Sequence, residues 1–181
     1  MKTLMLSAAA AALAAGTAPA QATVFTVGSL AATCYQASLS HTVRYAALAD
    51  CTRALDEEPL SAGDHVATLV NRGIVRMNLG DLPGADRDFD AALAMDRNEP
   101  EAWLNKGLLR LRQNQPEAAM PLIEHAMAAR TIRPALAMYA RGIANEQLGH
   151  LKQAYADLVR ARELAPGWPL PAAQLRRYQV R

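Results

Sequence analysis

Apolar residues recur along this chain at a spacing that suits an α-helix. Four times an alanine is followed four residues later by a larger apolar residue or a cysteine, and three residues after that by a second alanine. The four sets are Ala47, Cys51 and Ala54; Ala85, Phe89 and Ala92; Ala119, Ile123 and Ala126; and Ala154, Leu158 and Ala161. Spacings of four and three place side chains on one face of a helix. Each set therefore predicts a helix with one apolar face.

The distance between successive sets is nearly constant. Their first alanines stand at positions 47, 85, 119 and 154, which are intervals of 38, 34 and 35. A repeat in the thirties that carries helical spacing is typical of a solenoid of helical hairpins, in which each hairpin buries its apolar face against its neighbours. The pattern therefore predicts an all-α protein and favours a function in binding other molecules.

Glycines upstream of three sets predict the first helix of each hairpin and the turn that follows it. One glycine precedes the first alanine of its set by the same interval each time: Gly73, Gly107 and Gly142. A glycine or an asparagine lies five residues before the same alanine: Gly80, Asn114 and Gly149. Glycine inside a helix costs about 1 kcal/mol relative to alanine. We therefore expect the helix glycines to allow a close approach of the partner helix.

These positions resemble the tetratricopeptide repeat (TPR), a helix–turn–helix unit of about 34 residues. The matching residues are Leu69, Gly73, Gly80, Ala85, Phe89 and Ala92 in residues 66–99; Trp103, Gly107, Ala119, Ile123 and Ala126 in residues 100–134; and Met138, Gly142, Gly149, Ala154, Leu158, Ala161 and Pro166 in residues 135–168. Basic residues stand at a position where leucine is usual: Arg72, Lys106 and Arg141. The resemblance implies a right-handed superhelical solenoid that binds proteins and is not an enzyme.

The resemblance also implies a degenerate hairpin in residues 23–65 and a capping helix in residues 169–181. It places Cys34 on the first helix and Cys51 on the second helix of the degenerate hairpin, at positions that pack together, which implies a disulfide. Two separate buried thiols are the alternative. The excess length of this unit over the usual repeat is assigned to a loop at residues 61–64. In the capping helix, the residues expected to face inward are Leu175, Tyr178 and Val180.

Residues 1–22 have the pattern of a secretory signal peptide. Lys2 precedes an apolar run over residues 4–15, and an Ala-x-Ala processing site follows at residues 20–22. Processing after residues 18–20, an uncleaved anchor helix and a lipoprotein signal ending at Cys34 are the alternatives. No later apolar run reaches the length of about 18 residues that suggests a membrane span. We therefore expect an exported, periplasmic protein of the bacterial cell envelope, without membrane insertion after processing.

Charge and side-chain chemistry argue against several classes of function. The net charge is +2 and no block of like charges occurs, so no nucleic-acid partner is expected. The four histidines lie in different units without ligand spacing: His41, His65, His125 and His150. Asp86, Asp88 and Asp90 fall within a predicted helix and are assigned to its solvated face, near Arg72 or Arg87. Since phosphate-binding and nucleophile motifs are also missing from the sequence, we expect no metal, no cofactor and no catalysis.

The resemblance finally implies a concave groove lined by the first helix of each hairpin. The residues that it places there are Asn71, Ile74, Met77 and Asn78; Asn105, Leu108 and Arg112; and Tyr139, Ile143 and Gln147. Apolar side chains mixed with amides suit an extended peptide or an amphipathic helix, so the expected partner is a protein or peptide. Asn71 and Asn105 match a position at which some TPR proteins hold peptide backbone or a terminal carboxylate. An unoccupied groove and a self-associating structural scaffold are the alternatives.

Overall fold

The computed structural model describes residues 28–40 and 45–178 of the chain. Within these ranges it contains α-helices joined by short turns and no β-strand. The helices are α1 Leu30–Leu39, α2 Tyr45–Glu57, α3 Ala62–Leu79, α4 Leu82–Met95, α5 Pro100–Arg112, α6 Pro116–Ala128, α7 Pro134–Gln147, α8 Leu151–Leu164 and α9 Pro169–Leu175. The predicted signal peptide lies outside the described residues. None of the described helices has the length and apolar character of a membrane span.

The helices pack as consecutive hairpins. α1 packs on α2, α3 on α4, α5 on α6 and α7 on α8. Each hairpin also packs on the next, through α2 with α3, α4 with α5, and α6 with α7. Because α5 contacts both α3 and α7 as well, the first helices of these hairpins lie side by side and form one face of the stack. The predicted all-α solenoid is therefore confirmed.

The recurring apolar residues form the centre of three hairpins. Phe89, Ile123 and Leu158 are fully buried, as are the alanines that flank them. Each bulky side chain lies against the glycine of its partner helix. A Cβ atom added to Gly107 would lie 2.7 Å from Ile123 Cγ1, closer than real Cβ contacts come. The missing side chain is thus what lets the two helices approach.

Each of these hairpins turns through a residue with left-handed backbone. φ is 89° at Gly80, 57° at Asn114 and 79° at Gly149. Glycine and asparagine adopt this conformation with less strain than other residues. After the first turn, Asp81 caps α4, because its Oδ1 accepts a hydrogen bond from the backbone N of Gly84 at 2.9 Å.

Helix α3 begins earlier than the sequence pattern predicts. The segment 61–64 was expected to be a loop, and that prediction is wrong, since α3 starts at Ala62. Ser61 is the N-cap, and its Oγ accepts a hydrogen bond from the backbone N of Asp64 at 3.1 Å. This capping geometry extends the helix by about one turn. The predicted boundary between residues 65 and 66 therefore falls inside α3.

The first hairpin is held by its two cysteines and by a side-chain cap. The sulfurs of Cys34 and Cys51 are 2.05 Å apart, so their expected proximity is confirmed. Both residues are fully buried and pack with Val75 of α3. At the start of α1, the Glu58 carboxylate accepts hydrogen bonds from the backbone N of Leu30 at 2.6 Å and of the next residue at 3.1 Å. The disulfide and the Glu58 cap therefore hold α1 and α2 together, and the contact with Val75 packs this hairpin on α3.

The C-terminal helix is shorter than predicted. α9 ends at Leu175, which is buried, and residues 176–178 form a turn. This turn lets Gln174 and Tyr178 both donate hydrogen bonds to Glu146 Oε2 of α7, at 2.6 and 3.0 Å. Arg177 pairs with the other oxygen of Glu146 at 3.0 Å. One carboxylate thus anchors the C-terminal segment, while Val180 lies outside the described residues.

Candidate functional site

A cavity of about 350 Å³ lies between the first helices α3, α5 and α7. Its lining is mostly apolar and consists of Met77, Leu108, Leu111, Arg112, Tyr139, Ala140, Ile143 and Gln147. The side-by-side packing of α3, α5 and α7 brings together residues that are far apart in the chain, from Met77 to Gln147. We name this set of residues the groove.

The groove contains six of the ten residues that the sequence placed in it. They are Met77, Leu108, Arg112, Tyr139, Ile143 and Gln147. Ala140 completes the lining between two of them, at the place that Asn71 and Asn105 hold in the preceding repeats. An alanine there widens the cavity, because it leaves room where a longer side chain would stand.

The other four predicted residues lie outside the groove lining. Asn105 is 2% exposed, and its Nδ2 donates a hydrogen bond to the Glu101 carbonyl at 2.7 Å. Asn71 Oδ1 accepts a hydrogen bond from Ser38 of α1 at 3.1 Å. Ile74 is buried in the core of its own hairpin, and Asn78 is exposed outside the cavity. Asn71 and Asn105 are thus engaged within the protein, which leaves the expected pair of peptide-holding amides without support.

Arg112 supplies the positive charge among the residues that line the groove. Its Nη1 donates a hydrogen bond to the Met77 carbonyl at 2.6 Å, across from α5 to α3. This bond fixes the guanidinium at the rim while the residue stays exposed to solvent. No carboxylate is among the lining residues. The groove therefore combines apolar walls with one positioned cation, which can pair with a carboxylate through its remaining N–H donors.

Tyr139 forms part of the wall toward the C-terminal end. Its ring packs on Trp168, with ring centroids 4.9 Å apart and planes tilted by 59°. Burial raises the pKa of the Tyr139 phenol, and the nearby Glu146 carboxylate raises it further. The positive charge of Arg177 lowers this pKa, but by less. The phenol is therefore neutral at physiological pH and can donate or accept a hydrogen bond.

The basic residues that replace the usual leucine form ion pairs within and between repeats. Arg72 donates to both oxygens of Asp88, at 3.0 and 2.8 Å, and Arg141 does the same to Asp157, at 3.0 and 2.6 Å. Asp88 is 2% exposed, so its assignment to a solvated face is wrong. The hydrogen bond to Asp157 raises the pKa of Arg141. The sequence carries a signal for these pairs, since base and acid have a sequence separation of 16 in both.

In the middle repeat, Lys106 and Arg110 pair with acids of the preceding repeat and not with acids of their own hairpin. Leu122 stands where an aspartate would be, so Lys106 has no acid in its own hairpin at that place. Instead Lys106 pairs with Asp86 at 3.5 Å and with Asp90, and Arg110 pairs with Asp86 at 2.8 Å. These acids belong to α4 of the preceding repeat. The charges therefore link neighbouring repeats and are part of the fold.

A second crevice, of about 580 Å³, lies where α6, α7 and α8 meet. The polar side chains at its centre are hydrogen-bonded to one another, because Arg141 and Asn145 both donate to Asp157. In the described part of the chain, no cluster of three or more histidine, cysteine or acidic side chains could hold a metal ion. The groove is therefore the better candidate for a functional site.

Solved structures share this arrangement of hairpins. No family model matches the chain, and no curated protein matches it in sequence. The structure of MamA 41-end from Desulfovibrio magneticus RS-1 is 25% identical, with a TM-score of 0.59, over 83% of this chain and 84% of that one. The first TPR domain of the human RPAP3 protein is 22% identical, with a TM-score of 0.57, over 62% of this chain and 87% of that one.

These neighbours define the class of the protein. Another MamA structure covers 82% of this chain at 19% identity, with a TM-score of 0.57. The neighbours are TPR-containing proteins, so the chain has the TPR fold. They support a helical repeat module for protein–protein interaction.

Proposed function

We propose that this protein is a non-enzymatic interaction module of the bacterial cell envelope, and that its groove binds a peptide or a protein segment. The observation that carries the proposal is the open cavity of about 350 Å³ on the first helices, with apolar walls and a fixed arginine. Ligand pockets of proteins commonly have volumes from about 300 Å³ upward and combine apolar walls with a few placed polar groups. The groove has this character.

The chemistry of the groove specifies the kind of segment that it takes. The volume accommodates about two or three apolar side chains of a peptide. Arg112 stands at the rim with no carboxylate beside it in the lining, so it favours a segment that carries an acidic side chain or a terminal carboxylate. Tyr139 and Gln147 offer hydrogen bonds to peptide backbone. The ligand is therefore an apolar segment with a negative charge near one end.

Two features support export to the periplasm. Residues 1–22 carry the charge, apolar run and Ala-x-Ala site of a secretory signal peptide. The buried pair Cys34 and Cys51 has its sulfurs at bonding distance, and disulfides persist in oxidising compartments such as the bacterial periplasm. On this proposal the processed protein works outside the cytoplasm and binds its partner there.

Selection from a random-peptide display library tests the proposal. The immobilised protein is expected to enrich peptides with two or three apolar residues and an acidic group. Ile143→Ser should abolish their binding, because Ile143 lines the groove. Arg112→Gln should weaken the binding of the acidic peptides about tenfold, the loss of one charge-assisted hydrogen bond.

The matched control is Ile132→Ser. Ile132 is 83% exposed and lies in the turn before α7, outside the groove lining. The same substitution there should leave peptide binding unchanged. If both variants bind equally well, or if no peptide is enriched over a surface without protein, the proposed function is wrong.

A further inference from the structure

Exposed apolar side chains concentrate at the two ends of the stack. Among the described residues, nine large apolar side chains are exposed. Two of them, Met95 and Ile132, belong to the middle of the chain. The other seven are in the first hairpin or after α7: Tyr35, Leu39, Tyr45, Leu151, Tyr155, Leu164 and Leu170. The ends therefore retain apolar surface that the middle repeats bury against their neighbours.

Two of the C-terminal members, Leu151 and Tyr155, are more exposed than the residues at the same positions of the preceding repeats. Tyr155 matches Asp86 and Met120 in the two preceding repeats. Asp86 is bound by Lys106 and Arg110 of the next hairpin. Met120 packs against the apolar cluster that α6 shares with α7. Tyr155 itself meets the edge of Tyr178, with ring centroids 5.8 Å apart, and yet remains 44% exposed.

Leu151 is likewise more exposed than the residues at its position in the two preceding repeats. Its equivalent in the second repeat is Pro116, which is buried, and its equivalent in the first is Leu82, which packs against the core. Leu151 is 56% exposed, because α9 covers α8 only in part. The last repeat thus keeps a stacking surface that has room for another hairpin.

At the other end, α1 presents an uncovered side. α1 packs on α2 and α3, and Cys34 and Ser38 face these two helices. Tyr35 and Leu39 follow one helical turn apart on a different side of α1, where they are 45% and 56% exposed. Tyr45, at the start of α2, is 76% exposed. The first hairpin therefore also carries apolar surface without a neighbour among the described residues.

The two ends have opposite charge. In residues 28–58, two basic residues, Arg44 and Arg53, accompany four acidic residues: Asp50, Asp56, Glu57 and Glu58. In α8, α9 and the turn after them, the exposed acidic residue Glu163 accompanies five basic residues: Lys152, Arg160, Arg162, Arg176 and Arg177. Asp157 is buried against Arg141, and Arg177 pairs with Glu146 of α7, so both are left out, and four basic residues stand against Glu163. The surfaces are therefore complementary in charge.

We infer that the occupant of each end is a second copy of this chain, and that copies stack head to tail. The apolar residues of α1 and α2 in one copy cover Leu151 and Tyr155 in the next, while the acidic first hairpin faces the basic C-terminal helices. Such a contact is heterologous, since the two surfaces differ, and each copy offers one surface of each kind. The copies therefore form an open series, or a ring if the rotation between copies closes, and not a two-fold dimer.

Sedimentation velocity of the purified processed chain tests this inference. Wild-type protein should show a series of species that grow with concentration. Salt at about 0.5 M should weaken the association, because it screens the opposed charges. A monomer at every concentration in low salt would overturn the inference.

Two variants test the direction of stacking. Tyr35→Ser with Leu39→Ser removes the N-terminal apolar surface, and Leu151→Ser with Tyr155→Ser removes the C-terminal one. Each variant alone should be monomeric. Mixed in equal amounts they should form a dimer and nothing larger, because each supplies the surface that the other lacks. A mixture that stays monomeric, or one variant that still associates by itself, would contradict head-to-tail stacking.

A control variant and a groove variant complete the experiment. Met95→Ser with Ile132→Ser changes two exposed apolar residues away from both ends and should associate as wild type does. Ile143→Ser should do the same, since the groove is not part of this contact. Loss of assembly in Ile143→Ser would overturn the inference and assign self-association to the groove. The end variants should keep their peptide binding, so this test and the test of the proposed function can fail independently.

Discussion

At the scale of single residues, small side chains and paired charges determine how closely the helices approach. The helix glycines were predictable, because their distance from the alanines is local and repeats along the chain. The aspartates of α4 were expected near Arg72 or Arg87 but on a solvated face, so the burial of the Arg72–Asp88 pair was not predicted, although the same sequence separation of 16 recurs between Arg141 and Asp157. The burial of Asn105 could not be predicted, since repeat spacing does not show that its amide bonds the Glu101 carbonyl of its own helix.

Substitution of Gly73 should show how tightly the first full hairpin is packed. A Cβ atom at Gly73 would overlap the Phe89 ring. We expect Gly73→Ala to lower the free energy of unfolding by about 1–3 kcal/mol, the range for overpacked cores. Urea denaturation followed by circular dichroism measures the change.

Gly63→Ala is the matched control for that substitution. Gly63 lies in the first turn of α3, where an added Cβ meets nothing closer than Ser61 Oγ at 4.0 Å. It should raise the stability by about 0.5 kcal/mol, because alanine restricts the unfolded chain. Equal effects of the two substitutions would contradict the packing described for Gly73.

Removal of one partner of the Arg72–Asp88 pair should destabilise the protein. The side chains of Arg72 and Asp88 are 15% and 3% exposed, and Asp88 also pairs with Arg76 at 3.0 Å, so Asp88→Ala removes the partner of two mostly buried cations. The expected loss is about 3–5 kcal/mol. Replacement of Arg72 and Asp88 by leucine, the residue usual at position 72 in the TPR pattern and present at Leu122 in the second repeat, should recover part of that loss, because only Arg76 then lacks this carboxylate and it keeps its hydrogen bond to the Gly84 carbonyl. A double variant as unstable as Asp88→Ala would show that the unpaired Arg72 is not the source of the loss.

At the scale of elements, the start of α3 and the end of α9 differ most from the sequence prediction. The pattern predicted a loop at residues 61–64, yet Ser61 and Asp64 form a helix cap that starts α3 there. It also predicted a helix through residues 169–181, yet α9 ends at Leu175. Repeat spacing predicts neither feature, because the α3 cap is a local signal of Ser61 and Asp64 and the C-terminal tether depends on Glu146 of another helix.

The cysteine pair should stabilise the short first hairpin. The bond between Cys34 and Cys51 closes a loop with a sequence separation of 17. Its reduction should lower the free energy of unfolding by about 3 kcal/mol in the chain-entropy description. Thermal melts with and without dithiothreitol measure the effect, and Cys34→Ala with Cys51→Ala should melt at one temperature in both conditions. A wild-type melting temperature that does not change when dithiothreitol is added would contradict this role.

The tether of the C-terminal segment should respond to high pH. Burial, followed by the hydrogen bond to Glu146 and the charge of that carboxylate, raises the pKa of Tyr178 from 10.0 to about 12. The folded state therefore holds the phenolic proton more tightly than the unfolded state. The stabilisation is complete below pH 10 and is lost as the pH rises from 10 to about 12.

Ultraviolet absorbance of tyrosinate, compared between wild type and Tyr178→Phe, measures this titration. The difference between the two curves should be a single step centred near pH 12. A step near pH 10, the ordinary value for tyrosine, would show that Tyr178 is not held against Glu146.

At the scale of the whole molecule, the repeat pattern predicted the solenoid and most of the groove. A fixed period places equivalent positions of α3, α5 and α7 side by side, and so Met77, Leu108 and Ile143 meet as the resemblance implied. The charge difference between the ends was not predicted, since it becomes meaningful only when the stack shows which surfaces lack a neighbour. Because the groove and the ends are separate surfaces, the two proposals together predict that a peptide and a second copy bind at the same time.

Methyl-group NMR of the protein, titrated with a peptide obtained by library selection, tests whether the groove is the binding site. Methyl resonances of Met77, Leu108, Leu111 and Ile143 should shift together and saturate at one peptide per chain. The methyl resonances of Met95 and Ile132, which are exposed outside the groove, should stay in place. Shifts confined to Ile132 or to the ends of the stack, with the groove resonances unmoved, would show that the peptide does not bind in the groove.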